Sequence, residues 1–134
     1  MQQKSVLGVE ETMRVMDGAI AEAKRNRWAV AIAIVDDGGH LLNFVRLDGT
    51  PTVSAYIAQE KARAAALGRR ETRIYEDMIN QGRTAFLSAP LQGMLEGGVP
   101  IIADGQVVGA VGVSGVKSSE DVLIAKAGIA ALGL

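Results

Sequence analysis

Few side chains in this 134-residue sequence could do chemistry, and they fall in a handful of short stretches. VRLDGT holds Arg46 and Asp48 two residues apart, a planar two-pronged donor beside a carboxylate. Such an arginine can grip a ligand carboxylate through paired hydrogen bonds while the aspartate orients it or a nearby lysine. The same residues also read as a turn with Arg46 pointing to solvent or to Asp48. Lys61, in EKARAA, shares a helical face with Val53, Ile57, Ala64 and Gly68. An ammonium among apolar or tiny neighbours either snorkels to water or pairs with a buried carboxylate or an acidic ligand. Glu96 precedes Gly97 and Gly98 in LEGGVP and reads as a loop carboxylate or as a base beside two flexible residues. His40 follows the Gly38-Gly39 turn, where an imidazole is a surface group or serves in acid–base work or axial ligation of haem.

Composition excludes much else. His40 is the only histidine and there is no cysteine, so thiolate metal sites, disulfides, cysteine nucleophiles and a multi-histidine metal site within one chain are ruled out. We expect no metal. Ser114 and Ser118 could form a hydrolytic triad only with His40. Lys+Arg 14 against Asp+Glu 15 leaves a formal charge of -1, so no broad positive field gathers nucleic acid or anionic lipid. Neither nucleic acid nor membrane is an expected partner. MQQKSVLGVEETMRVMDG has no apolar core of signal-peptide length, which makes the cytoplasm the simplest expected location.

GAVGVSGVKSSED places Gly109, Gly112 and Gly115 at intervals of three before Lys117 and two serines. A Walker loop needs its second glycine directly before the lysine, and here Val116 intervenes. The dinucleotide fingerprint fails as well, because the stretch closes a hairpin and opens no βαβ unit. It reads as a strand whose glycines permit close approach, followed by a helix capped by Ser118 or Ser119. Free amides at that helix start are a second expectation, as an anion cradle.

The elements that must position these groups follow from periodicity. Val9, Met13, Met16, Ile20 and Ala23 recur at steps of four and three, predicting an amphipathic helix from Gly8 to about Asn26. Strands are predicted near 28 to 35 and 40 to 47 around the turn residues Asp36 to Gly39. An alanine-rich, closely packed helix is predicted from Thr52 to Gly68 and a shorter one from Glu71 to Ile79. QGRTAFLSAPLQGMLEGG reads mostly as loop. VPIIADGQVVGAVGVSG repeats the hairpin logic around Asp104-Gly105, and a last helix runs from about Ser119 to Leu132.

Hairpins separated by helices predict an α+β fold, an antiparallel sheet flanked by helices, in a single domain spanning 1 to 134. The strand AVAIAIV is apolar on both faces, large at Val30, Ile32 and Ile34 and small at Ala29, Ala31 and Ala33. Both faces must be covered, by helices or by another subunit, and a homo-oligomer is expected.

VDDGGHL, VRLDGTP, EKARAA, EGGVPI, DGQVVGAVGVSG and DVLIAKAGIAAL, in that order, resemble the GlcG/HbpS-like family, which also supplies the C-terminal domain of PduO. The likeness runs from the first helix to the last. It implies a profilin-like fold, dimers or larger assemblies, and a small-molecule pocket associated in different members with haem or a corrinoid. It also implies a role beside catabolic genes. Carried over by position, the family's motifs fall on Arg46, Asp48 and Gly49, on Lys61 and Ala62, on Gly97, Gly98 and Pro100, on Gly109 to Gly115, and on Asp121. Where the common form has a second glycine after Ser114-Gly115, this chain has Val116, which narrows the turn.

The expectation is a small-molecule binding protein in which Arg46, Asp48, Lys61, Gly97, Gly98, Gly115 and His40 border the ligand. The alternative is a metal-independent isomerase, deaminase or hydrolase acting on a small carboxylate, with Arg46 holding it and Lys61 or Glu96 moving protons. Both depend on Arg46 and Lys61 meeting in one hollow.

Overall fold

The computed structural model describes residues 1–134. The alternation in AIAIVD decides the architecture. In β1 (Ala31–Asp36) the residues Ala31 to Val35 are all buried, and the two faces of the strand enter different cores. Ile32 and Ile34, with Val30 just ahead of the strand, pack with Val15, Met16 and Ala19 of α1 (Val9–Arg25) and with Ile124 and Ala125 of α4 (Ser118–Ala130). Ala31, Ala33 and Val35 pack with Ala58, Ala62, Ala65 and Ala66 of α2 (Val53–Gly68). Large side chains therefore face a pair of helices, and small ones let a single helix lie close. Both faces are covered within one chain.

β1 pairs with β2 (Leu41–Arg46) and with β4 (Gln106–Ser114), which in turn pairs with β3 (Gly98–Ala103). All pairings are antiparallel, in the order β2-β1-β4-β3, so β2 and β3 are the edges. Pro100 sits in edge strand β3 opposite Ala110. Asp104 and Gly105 both have positive φ, 52° and 75°, the backbone that a two-residue hairpin demands. At the other hairpin the Asp36 carboxylate accepts the N–H groups of Gly38 and His40, each at 2.9 Å. The fold is α+β, as the order of elements predicted.

α2 reaches β4 at Gly112, where a Cβ would stand 2.1 Å from the Ala58 carbonyl oxygen and 2.4 Å from the Ala62 nitrogen. The glycine is what lets helix main chain rest on strand main chain.

Three predicted details are corrected. β1 begins at Ala31 instead of near residue 28, because the chain leaving α1 spends Arg27 to Val30 on closing that helix: Arg27 is left-handed (φ 59°) and the Trp28 N–H donates to the Ala23 carbonyl at 2.9 Å. The predicted loop after Asn80 contains a 3-10 turn, Thr84–Ser88, whose Phe86 stacks on Tyr75 of α3 (Thr72–Asn80) at 5.3 Å between centroids. Finally, α4 is not capped by Ser118 or Ser119, which lie in its first turn. Glu120 accepts the Lys117 N–H at 3.3 Å and Asp121 accepts the Val116 N–H at 3.2 Å. No helix is long and apolar enough to cross a membrane.

Candidate functional site: a cationic groove and a buried ion pair

The closure of α1 and the end of β2 meet at one end of the sheet. Because β1 pairs Ala31 with Arg46, the residues just before β1 lie across from those just after β2. The Leu47 N–H donates to the Val30 carbonyl at 2.9 Å and fixes that meeting. Asp48 and Gly49 (φ 84°) then turn the chain away, with the Thr50 N–H donating back to the Leu47 carbonyl at 3.2 Å.

The result is an open groove of about 550 Å³ between Lys24, Arg27, Trp28 and Ala29 on one side and Val45 to Asp48 on the other. That volume is within the ~300–1,000 Å³ typical of ligand sites. Its lining carries three cations and one carboxylate, a local charge of +2 in a chain whose total is -1. None of Lys24, Arg27, Arg46 and Asp48 forms an ion pair with another residue. Trp28, Val45 and Leu47 add apolar surface beside them. The arrangement suits an anion with an apolar body. A second hollow, about 370 Å³ between α3 and the segment that follows it, is lined by Glu76, Leu87 and Met94 among others and has no cation.

Lys61 lies elsewhere. It is 3% exposed, and its ammonium donates to the Val113 carbonyl at 2.9 Å and to Asp121 Oδ2 at 3.2 Å. Asp121 is 2% exposed, and its other oxygen takes the Val116 N–H. Of the alternatives open to this lysine, the structure shows the buried carboxylate and not the snorkel. Burial pushes the Asp121 carboxyl above its ordinary value, and the Lys61 charge and the Val116 amide pull it only partly back. Of the amides around the start of α4, those of Val116 and Lys117 are already taken by Asp121 and Glu120.

Arg46 and Lys61 therefore do not meet in one hollow. Arg46 and Asp48 line the groove and Lys61 does not. Glu96 is half-buried outside it, its own N–H donating to Glu76 at 3.3 Å, so no base other than Asp48 adjoins the cations. The proton-transfer set of Arg46, Lys61 and Glu96 is not assembled. Gly97 and Gly98 border Lys61, since a Cβ at Gly97 would lie 2.6 Å from the lysine nitrogen and one at Gly98 2.4 Å from its carbonyl oxygen. Gly115 packs on the approach to β1, where a Cβ would come within 2.5 Å of the Ala29 oxygen. His40 stands at the opposite end of the β1-β2 hairpin, its ring 3.0 Å from the Asp36 carboxylate and largely in solvent.

Sequence reasoning missed Lys24, Arg27 and Trp28. Their signal was present: two cations three residues apart where a helix ends, then an aromatic directly before an apolar strand whose hairpin partner ends in Arg46.

Helices on both faces of a four-stranded antiparallel sheet, with a cationic groove at the strand ends, define the class as an α+β domain with a ligand-sized cleft. The chain belongs to the HbpS-like family: residues 7–130 match the family described as haem degrading protein HbpS-like. It is 54% identical over 114 residues to protein GlcG of Escherichia coli, covering 85% of each chain. Among solved structures it is similar to a double mutant of Streptomyces reticuli HbpS, with a TM-score of 0.89 and 29% identity over 100% of this chain and 92% of that one. It is also similar to the PduOC:Heme complex, with a TM-score of 0.86 and 27% identity over 95% of both chains.

Proposed function

We propose that this protein binds a small molecule carrying carboxylates on an apolar body, a tetrapyrrole such as haem being the leading class, in the groove around Arg46. The observation that carries the reading is the set of three unpaired cations beside Trp28 in one cleft. The family description and the haem complex of a structural relative support the tetrapyrrole class. The residues present fit the anionic edge of such a ligand and not its metal. The groove lining contains no histidine, methionine or tyrosine, and His40 is at the far end of the hairpin. No chemistry at iron is assigned to this chain, and a corrinoid would have to be held through the same anion contacts. An auxiliary role in small-molecule catabolism, as the resemblance implies, belongs to the same proposal. So does a homo-oligomer, supported by the exposed apolar side chains of Val53, Tyr56 and Leu87 and tested by light scattering.

The test is a titration with haem and, separately, with iron-free protoporphyrin IX, followed by the Soret band and by quenching of Trp28, the only tryptophan. Both should bind with similar affinity, and the Arg27→Ala/Arg46→Ala double variant should bind each about 10-fold more weakly or worse, since charge-assisted hydrogen bonds are worth about 1.5–3 kcal/mol before solvent screening. Unchanged affinity in that variant defeats the reading. Haem binding abolished by His40→Ala alone would move the site to the other end of the hairpin.

A further inference from the structure

Lys61 carries a charge in a place where apolar residues of similar volume would often be as stable or more so. Its only partners are the Val113 carbonyl and Asp121. A buried pair of this kind asks for a positional explanation, and the hydrogen bonds supply one. Asp121 holds the N–H of Val116 at 3.2 Å. The residue before it, Gly115, has φ 148° and lies so tightly against the chain entering β1 that a Cβ would stand 2.5 Å from the Ala29 oxygen and 2.9 Å from Val30 Cα. Ala29 belongs to one wall of the groove, next to Trp28. Val30 in turn accepts the N–H of Leu47, which belongs to the opposite wall.

We infer that Lys61 and Asp121 are positioning residues for the groove: the pair anchors the Gly115-Val116 turn against Ala29 and Val30, and so sets the spacing of the walls that carry Trp28 and Arg46. Lys61 acts on binding without touching the ligand. The chain of contact is short and made of main chain at each step after Asp121, so a shift at the turn has no flexible side chain to absorb it. The affinity part of this inference rests on the groove reading above, and the geometric part does not.

The experiment replaces the pair by apolar residues, Lys61→Met with Asp121→Leu, which removes both buried charges together. Trp28 is then read in the unliganded protein by iodide and acrylamide quenching. Iodide is drawn to Lys24, Arg27 and Arg46, so the ratio of the two quenching constants reports how the tryptophan sits among the cations. In a folded double variant with an unchanged Tm the ratio should fall by about twofold or more, and protoporphyrin IX should bind about 10-fold more weakly although every groove residue is intact. Arg73→Met, which removes an exposed pair with Asp77, should leave both readings alone. Should the double variant not fold, Asp121→Ala, which also takes away the acceptor of the Val116 N–H, is read the same way. An unchanged quenching ratio overturns the inference. A changed ratio in a protein whose parent form binds no porphyrin upholds the positioning role and removes the groove's proposed ligand instead.

Discussion

Substituting Gly112 by alanine is the sharpest test of how α2 sits on the sheet. The added Cβ would stand 2.1 Å from the Ala58 oxygen and 2.4 Å from the Ala62 nitrogen, against ordinary contact at 3.4 Å or more. Relief requires a retreat of about 1.3 Å, the difference between 3.4 and 2.1 Å. Both opposing atoms are helix main chain, so no side-chain rotation can provide it, and α2 itself must move. That movement opens the contact between Ala31, Ala33 and Val35 on the strand and Ala58, Ala62 and Ala65 on the helix, where each lost van der Waals contact is small and the sum is not. Overpacking typically destabilises by about 1–3 kcal/mol, and a clash with rigid backbone belongs at or above the upper end. About 3 kcal/mol is a large part of a stability of about 5–15 kcal/mol, and corresponds to a fall in Tm of about 10 °C. Urea unfolding followed by circular dichroism should show the midpoint falling at an unchanged m-value. A loss smaller than about 1 kcal/mol would show that α2 does not rest on Gly112 as described.

Three further outcomes are expected. Lys61→Ala leaves the Asp121 carboxylate buried without its cation and should destabilise by about 3–5 kcal/mol at neutral pH, measured by the same unfolding assay. Partial burial tends to raise the Asp36 pKa, yet the His40 and Gly38 amides and the His40 ring together hold it below the ordinary aspartate value. The folded state then binds fewer protons than the unfolded one, so this contribution is present above about pH 4 and lost as pH falls through the lower folded value; Asp36→Asn should flatten that part of the stability profile. Gly68→Ala would bring a Cβ into the Tyr75 hydroxyl and force the ring off Phe86, which loss of near-ultraviolet circular dichroism from the stacked pair should reveal.

What could be read from the sequence follows from the range of the forces involved. Helix and strand periodicity is local, and so the order of elements and the two unlike faces of AIAIVD were legible. The alanines of α2 announced close packing for the same reason. Lys61 could be marked as anomalous on its face, but its partner Asp121 lies 60 residues on, and only the packing of α2, β4 and α4 brings them together. The groove was half legible. Arg46 and Asp48 could be placed at a strand end, whereas Lys24 and Arg27 join them only because α1 closes through a left-handed Arg27. The serines at the start of α4 matched the usual capping pattern, yet carboxylates two positions later took the Val116 and Lys117 amides, a competition that residue type alone does not decide.

Pro100 has a consequence beyond its own strand. A proline has no N–H, and its place in an outer strand is where the sheet would have to be extended on that flank. A visiting β-segment, from whatever source, would lack a donor beside β3, whereas β2 has no proline from Leu41 to Arg46 and breaks its register only at the bulge by Leu42. The gap on the β3 flank is written into the covalent structure and no change of side-chain conformation can fill it.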